Sequence, residues 1–344
     1  MTGILFLDSL DDTMLSCVKS SKSGQFAGLG VQFRHRYMAD SPAACFIAHE
    51  RSSARIKLIE GDTGNADTGW IIGARHIQGL YKSVSSKLYR DSFIYKLFIG
   101  CPEDPAEINF DTALEFIEKI YNSTDGAKQI CYLVGFQHQG HDTGYPDVFT
   151  VNEAAGGYEK LLKLMEEGRK LNTNVSFHDN YDDAYMDSPA WDPLDISVDM
   201  SGGLLKGGVW NGKQAYWISM PVYSKEKAPQ RIKRTLGKYP IKDTYHLDVL
   251  TASVFRVDYR RESPTGKDAD RMGRIAIVEE FRKHGIDITS YPMLIISFIV
   301  DLILSTSWTS LCSIITEDSS LSELRSSQYI NTKLTQRGMD IKTI

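Results

Sequence analysis

The sequence predicts an α/β protein: a (β/α) barrel of the TIM type, incomplete along this chain, preceded by a β-sandwich-like domain. Three observations carry that expectation. The apolar run Ile130–Phe136 stops abruptly at Gln137, His138, His141, Asp142 and Asp147. A fully buried parallel strand reads as a continuous apolar run, and α/β sites form at the carboxyl ends of such strands. The same pattern recurs at Val175-Ser-Phe177, which ends in His178, Asp179 and Asn180, and at Tyr245-His-Leu247, which ends in Asp248. Between these segments the hydrophobic period switches to that of amphipathic helices.

The elements follow in order. Residues 25–105 hold short alternating pieces (Val31–Arg34, Ala44–Ala48, Arg55–Ile59 and Phe93–Ile99) separated by turns such as Glu60-Gly-Asp-Thr-Gly64. This grammar predicts an all-β unit over 1–107, a sandwich in preference to a barrel. Residues 108–290 read as the N-terminal half of a barrel. Phe110, Leu114, Ile117 and Tyr121 fall on one helical face, with Thr112-x-x-Glu115 as a capping box. The strand at 129–136 follows, then a helix carrying Tyr158, Leu161, Leu162 and Met165, and a strand at 174–179. A hairpin turning at Asn211-Gly212 is expected within 203–223, then a basic helix near 229–238 and a strand over 244–250. Met272, Ile275, Val278 and Phe281 mark a last helix, closed by Gly285 before Ile286-Asp-Ile-Thr289. These make about four β/α units, where a closed barrel needs eight.

Residues 291–344 form an atypical tail. They contain no Ala and 16 Ser or Thr, and the β/α alternation does not continue. Met293–Leu304 is strongly apolar but short for a membrane span and carries Asp301, so no membrane association is expected. A departure of the sequence from its reading frame or family near Ser290 is the favoured account of this change.

Composition narrows the function classes. The chain has 344 residues, 42% hydrophobic and 24% charged, with a net charge of -5, which gives no footing for a nucleic-acid partner. Its five cysteines are odd in number, widely spaced and without a CxxC, so neither a disulfide framework nor a zinc site is indicated. Met1 leads into Ile4-Leu-Phe-Leu7 and then Asp8, Asp11 and Asp12, so no signal peptide is expected and the compartment stays open.

Paired strand-end carboxylates suit glycoside hydrolysis, in which one carboxylate attacks and a second, protonated, assists the leaving group. Asp248, at the end of its strand, is the expected nucleophile. His138, His141, Asp142, His178 and Asp179 suit hydrogen bonding to sugar hydroxyls. The same cluster suits a divalent metal, but His138-x-x-His141 lies in a Gly-containing loop and no HxH is present, so no metal and no cofactor are expected.

The segment Tyr132-Leu-Val-Gly-Phe-Gln-His-Gln-Gly-His-Asp-Thr-Gly-Tyr-Pro-Asp147 resembles the GWQ…GHDSGHP-type stretch of glycoside hydrolase family 101, the endo-α-N-acetylgalactosaminidases. The resemblance continues through Gly156-Gly-Tyr158, His178-Asp-Asn180…Tyr185 and Tyr245–Val249, and covers roughly residues 90–290. It implies a β-sandwich followed by a (β/α)8 catalytic domain, and release of Galβ1-3GalNAc from Ser or Thr of mucin-type O-glycans with retention. By motif position Asp248 is then the nucleophile, and Gln137, His141, Asp142, His178, Asn180 and His246 are the expected sugar contacts. Two positions depart from the pattern. Phe136 stands where the family has Trp, and Tyr291 stands where the acid/base Glu is expected, with Asp287 out of register as a substitute. The resemblance therefore leaves two further outcomes: an inactive glycosidase, or a non-catalytic carbohydrate-binding remnant. A metal-dependent barrel hydrolase is the remaining alternative from the residues themselves.

Overall fold

The computed structural model describes residues 2–7, 13–19, 27–33, 54–59, 69–80, 87–105 and 108–290. In chain order the elements are β1 (Thr2–Leu7), β2 (Thr13–Lys19), β3 (Ala27–Phe33), β4 (Ala54–Ile59), α1 (Gly69–Leu80), α2 (Lys87–Arg90), β5 (Phe93–Phe98), α3 (Phe110–Ser123), β6 (Gln129–Val134) and α4 (Gly157–Lys170). They continue with β7 (Thr173–Asn180), β8 (Asp183–Ala184), β9 (Lys206–Trp210), β10 (Lys213–Trp217), α5 (Met220–Tyr223), α6 (Lys227–Lys238), β11 (Thr244–Asp248), α7 (Lys267–Lys283) and β12 (Asp287–Ser290).

The centre is a five-stranded sheet ordered β12-β11-β7-β6-β5, and every pairing within it is parallel. Strand order follows chain order without reversal, each crossover carrying a helix. Among the described residues three small antiparallel sheets accompany it: β1 with β4, β2 with β3, and β8-β10-β9.

Side-chain alternation gives the parallel sheet two different faces. Tyr95 and Leu97, Cys131 and Leu133, Val175 and Phe177, and Tyr245 and Leu247 join Ile117, Leu161, Met165, Ile232 and Phe281 in one buried core beneath the helices. The opposite face carries Lys96, Tyr132, Ser176, His178, Thr244, His246, Asp248 and Thr289. At its lower end Tyr89 of α2 packs on Ile130 and Tyr132. There the Tyr89 and Tyr132 hydroxyls meet Thr244 Oγ1 at 2.8 and 2.6 Å. β6 is buried at every position, as its unbroken apolar run requires.

The structure corrects three local expectations. Phe93–Phe98, read as part of the N-terminal all-β stretch, is the outer strand of the parallel sheet, in register from Phe93↔Gln129 to Phe98↔Val134. Its alternating pattern arises because one face meets the helix core while the other turns toward the polar face. Gly69–Leu80, inside the same stretch, is helical. Asn109, not Thr112, caps α3: its side chain accepts from Thr112 N at 2.9 Å, so Thr112 belongs to the first turn. Ala44–Ala48 and the tail from Tyr291 lie outside the described residues.

Candidate active site

The polar face of the sheet becomes a site at the carboxyl ends of β6, β7 and β11. Asp248 is the last residue of β11 and pairs in register with Asn180 of β7, while His246 pairs with His178. Both histidines therefore point the same way as Asp248, and Asp179 between them points the opposite way. His178 Nε2 lies 3.3 Å from Asp248 Oδ2. The His246 ring stacks on His178 at 4.9 Å between centroids, 15° from parallel.

The loop after β6 brings His141 and Asp142 over this cluster. It docks on the end of β5 through a hydrogen bond from His141 N to Gly100 O, 2.7 Å. Two glycines permit the approach. Gly135 and Gly140 have φ of +88° and +114°, and a Cβ on either would stand 2.4 or 2.1 Å from Gly100 O. Asp142 itself adopts a left-handed φ of 54°, as does Val249 at 45°, next to the expected nucleophile. For a β-branched residue that conformation is strained, a feature that clusters at functional sites. His141 Nε2 is 3.4 Å from Asp142 Oδ2. One donor atom each from His141, His178 and Asp248 fall within 4.8 Å of one another.

Electrostatics divide the two carboxyls. Burial pushes Asp248 up, but the opposing pull of His178, His141 and Lys96 prevails and holds it below its ordinary value. Burial pushes Asp142 up as well, here without compensation, and with the charges of Asp248 and Asp183 it reaches about 8. At neutral pH Asp248 is ionised while Asp142 keeps its proton. Burial, reinforced by His178, drives His141 down to about 4, and burial lowers His178 against the attraction of Asp248, so both imidazoles are neutral. Such a divergence between neighbouring carboxyls is how one site supplies both an attacking group and a proton donor.

Residues 103–273 match the family model described as endo-alpha-N-acetylgalactosaminidase. Over that span the chain is a member of this family. Solved structures similar to it include the alpha-N-acetylgalactosaminidase NagBb from Bifidobacterium bifidum, ligand free, with a TM-score of 0.65 and 16% identity, covering 85% of this chain and 50% of that one. The complex of the same enzyme with GalNAc gives a TM-score of 0.64 at 16% identity, over 85% and 49%. Its complex with Gal-NHAc-DNJ gives 0.64, over 84% and 48%. The likeness establishes a shared α/β fold with a parallel sheet. The chain spans about half the length of these structures.

The structure gathers His141, Asp142, His178, His246 and Asp248 of this family member into one cluster. The other expected contacts are placed elsewhere. Gln137 is fully buried and braces its own loop, its Nε2 donating to Gly140 O at 3.1 Å. Asn180 is buried as well. Its Oδ1 accepts from Asp182 N and Asp183 N at 2.6 and 3.0 Å, and its Nδ2 donates to Asp183 Oδ2 at 2.9 Å. Both amides hold the loops that carry the site. Asp179 lies on the helix side, paired with Arg231 of α6 and accepting from the Tyr245 hydroxyl at 2.8 Å. His138 pairs with Asp147 at 2.8 Å on the far side of the 138–147 loop. That side borders a cavity of about 610 Å³, lined in part by His138, Thr143 and Lys213 and by none of the five clustered residues. The chemistry, not the volume, locates the site. Phe136 is stacked on Phe177 in the helix core, so the departure from Trp concerns packing.

Sequence reasoning passed over Lys96, whose Nζ is 3.0 Å from His246 Nε2, and two arginines that hold the loop after β11, Arg256 on the loop itself and Arg274 on α7. Arg274 is fully buried, donates to Leu250 O and Val254 O at 2.8 and 3.0 Å, and pairs with Asp270 at 2.9 Å. Arg256 clasps Asp182. Burial acts to raise Asp182, yet Arg256 and Arg274 bring it down to about 2.

Proposed function

We propose that this chain is the sugar-cleaving part of a retaining glycoside hydrolase that acts on α-linked N-acetylgalactosamine, releasing Galβ1-3GalNAc from Ser or Thr of mucin-type O-glycans. One observation carries the reading: an ionised strand-end carboxylate, Asp248, with a protonated carboxyl, Asp142, on the neighbouring loop. In the first step Asp248 Oδ attacks the anomeric carbon as the bond to the Ser or Thr oxygen breaks, that oxygen taking a proton from water, giving a glycosyl-aspartate ester and a hydroxide that is consumed in the next step. Water then hydrolyses that ester, so configuration is retained. Asp142, protonated, donates a hydrogen bond to a sugar oxygen, and His141 and His178 line the same face. Gln137 and Asn180 act one layer out, holding the loops. His246 lies beneath His178 and orients it.

The finer architecture belongs to the same proposal. The parallel sheet is the first half of a (β/α) barrel, its polar face is the barrel interior, and the β-rich region before it is a sandwich. The proposed domains are 1–107, 108–290 and 291–344, with β5 reassigned to the barrel. The partner is a glycan, an assignment supported by the family match and by hydroxyl-binding groups in a chain of net charge -5.

Hydrolysis of p-nitrophenyl Galβ1-3GalNAc-α tests the reading. Release of nitrophenol by the native chain, absent from Asp248→Ala, is expected. Binding of the disaccharide without any turnover would make the chain a carbohydrate-binding remnant instead. A second reading has its own support, since His141, His178 and Asp248 present donor atoms close enough together for a divalent metal. Elemental analysis of purified protein separates it: a stoichiometric transition metal would favour a metal-dependent hydrolase.

A further inference from the structure

We propose that Lys96 is a positioning residue for the reaction: it fixes His246 in one tautomer, through it the His178 ring against Asp248, and supplies the site's resident positive charge. The catalytic consequence rests on the glycosidase reading above. The geometry does not.

Lys96 lies on β5, opposite Tyr132 of β6, on the polar face of the sheet. Its Nζ is 3.0 Å from His246 Nε2. An ammonium group only donates, so His246 Nε2 must present its lone pair. The proton then sits on Nδ1, which donates to Thr289 Oγ1 at 2.8 Å. Both ring nitrogens are thereby committed, and the imidazole is held at both ends. This fixed ring is the surface on which His178 stacks, and His178 Nε2 faces Asp248 Oδ2 at 3.3 Å. Among the described residues the ammonium acts on His141, His178, His246 and Asp248, and of these Asp248 carries a negative charge at neutral pH.

The charges are reciprocal. Lys96 is among the cationic influences that keep Asp248 low, and Asp248 is what sustains the ammonium against burial, which brings Lys96 down to about 8. A lysine in an alternating strand would ordinarily be a solvated surface group. Here its head meets a buried imidazole instead. The same ammonium weighs against a second cation at His141, His178 and Asp248, because its charge acts on all three and would repel a metal there.

The test reads the residue directly by nuclear magnetic resonance, through the imidazole ¹⁵N shifts that report the tautomer of His246. In Lys96→Met His246 should lose its single Nδ1–H tautomer, and Lys96→Arg should restore it. An unchanged tautomer in folded Lys96→Met would overturn the proposal. If that variant does not fold, titration of the native protein decides. The Nδ1–H preference of His246 should weaken over the range in which Lys96 loses its proton, and a preference indifferent to that ionisation would equally refute the role. Neither readout requires turnover, so a protein that fails to cleave glycans would refute the glycosidase reading and leave this result standing.

Discussion

Asp248 and Asp142 are chemically alike and electrostatically opposed, and the difference comes from their neighbours. Asp248 has two imidazoles and a lysine around it, whereas Asp142 has burial and further carboxylates. Replacing Asp248 by Asn should lower turnover by roughly 10⁴-fold, the scale seen when a covalent-catalysis residue is removed, while circular dichroism stays unchanged. Asp142 yields a pH prediction with a definite sign. Its folded value of about 8 lies above its ordinary one, so its contribution to stability is complete in acid and is lost as pH rises through that value. Asp142→Asn should therefore melt at a higher temperature than the native protein at pH 9, with a smaller difference or none at pH 4. Glycan cleavage should likewise fall above about pH 8 in the native protein as that proton leaves. A native alkaline limb unaltered in Asp142→Asn would assign it to another group.

At the scale of the elements, the loop after β11 owes its place to buried ion pairs. Arg274 anchors three of its carbonyls while neutralising Asp270, and Arg256 neutralises Asp182. Arg274→Met should cost about 3–5 kcal/mol in urea unfolding, because it strands a buried carboxylate. Gly140→Ala should cost about 1–3 kcal/mol and loosen the loop bearing His141 and Asp142, since a Cβ there would run into Gly100 O. These elements were unevenly legible in the sequence. β6 was readable because both its faces are buried, which leaves an unbroken apolar run. β5 was not, because its inward-turned Lys96 and half-exposed edge imitate an antiparallel strand. His141, Asp142, His178 and Asp248 could be found as polar residues at strand ends. Gln137, Asn180 and Asp179 share that signature, and only the turn hydrogen bonds and the two-residue period separate them from the site. Lys96 left no signal, since its role depends on a histidine 150 positions away.

For the molecule as a whole, the polar face assembles from β5, β6, β7, β11 and β12, so site and sheet share one register. No helix among the described residues is long and apolar enough to cross a membrane. Because site and sheet share one register, the sugar should stabilise the entire parallel sheet. At a hundredfold excess over its dissociation constant, Galβ1-3GalNAc should add about 2.7 kcal/mol, visible as a rise in melting temperature that glucose does not reproduce. The central claim, that Asp248 attacks the anomeric carbon, has a more direct test. A 2,4-dinitrophenyl α-glycoside of the disaccharide carries a leaving group that departs without protonation, so the attack is isolated from any acid. Mass spectrometry of the rapidly quenched, digested protein should find the disaccharide on the peptide containing Asp248, and none on it in Asp248→Asn. Dinitrophenol released with the adduct on another residue, or equally fast from both proteins, would contradict the account.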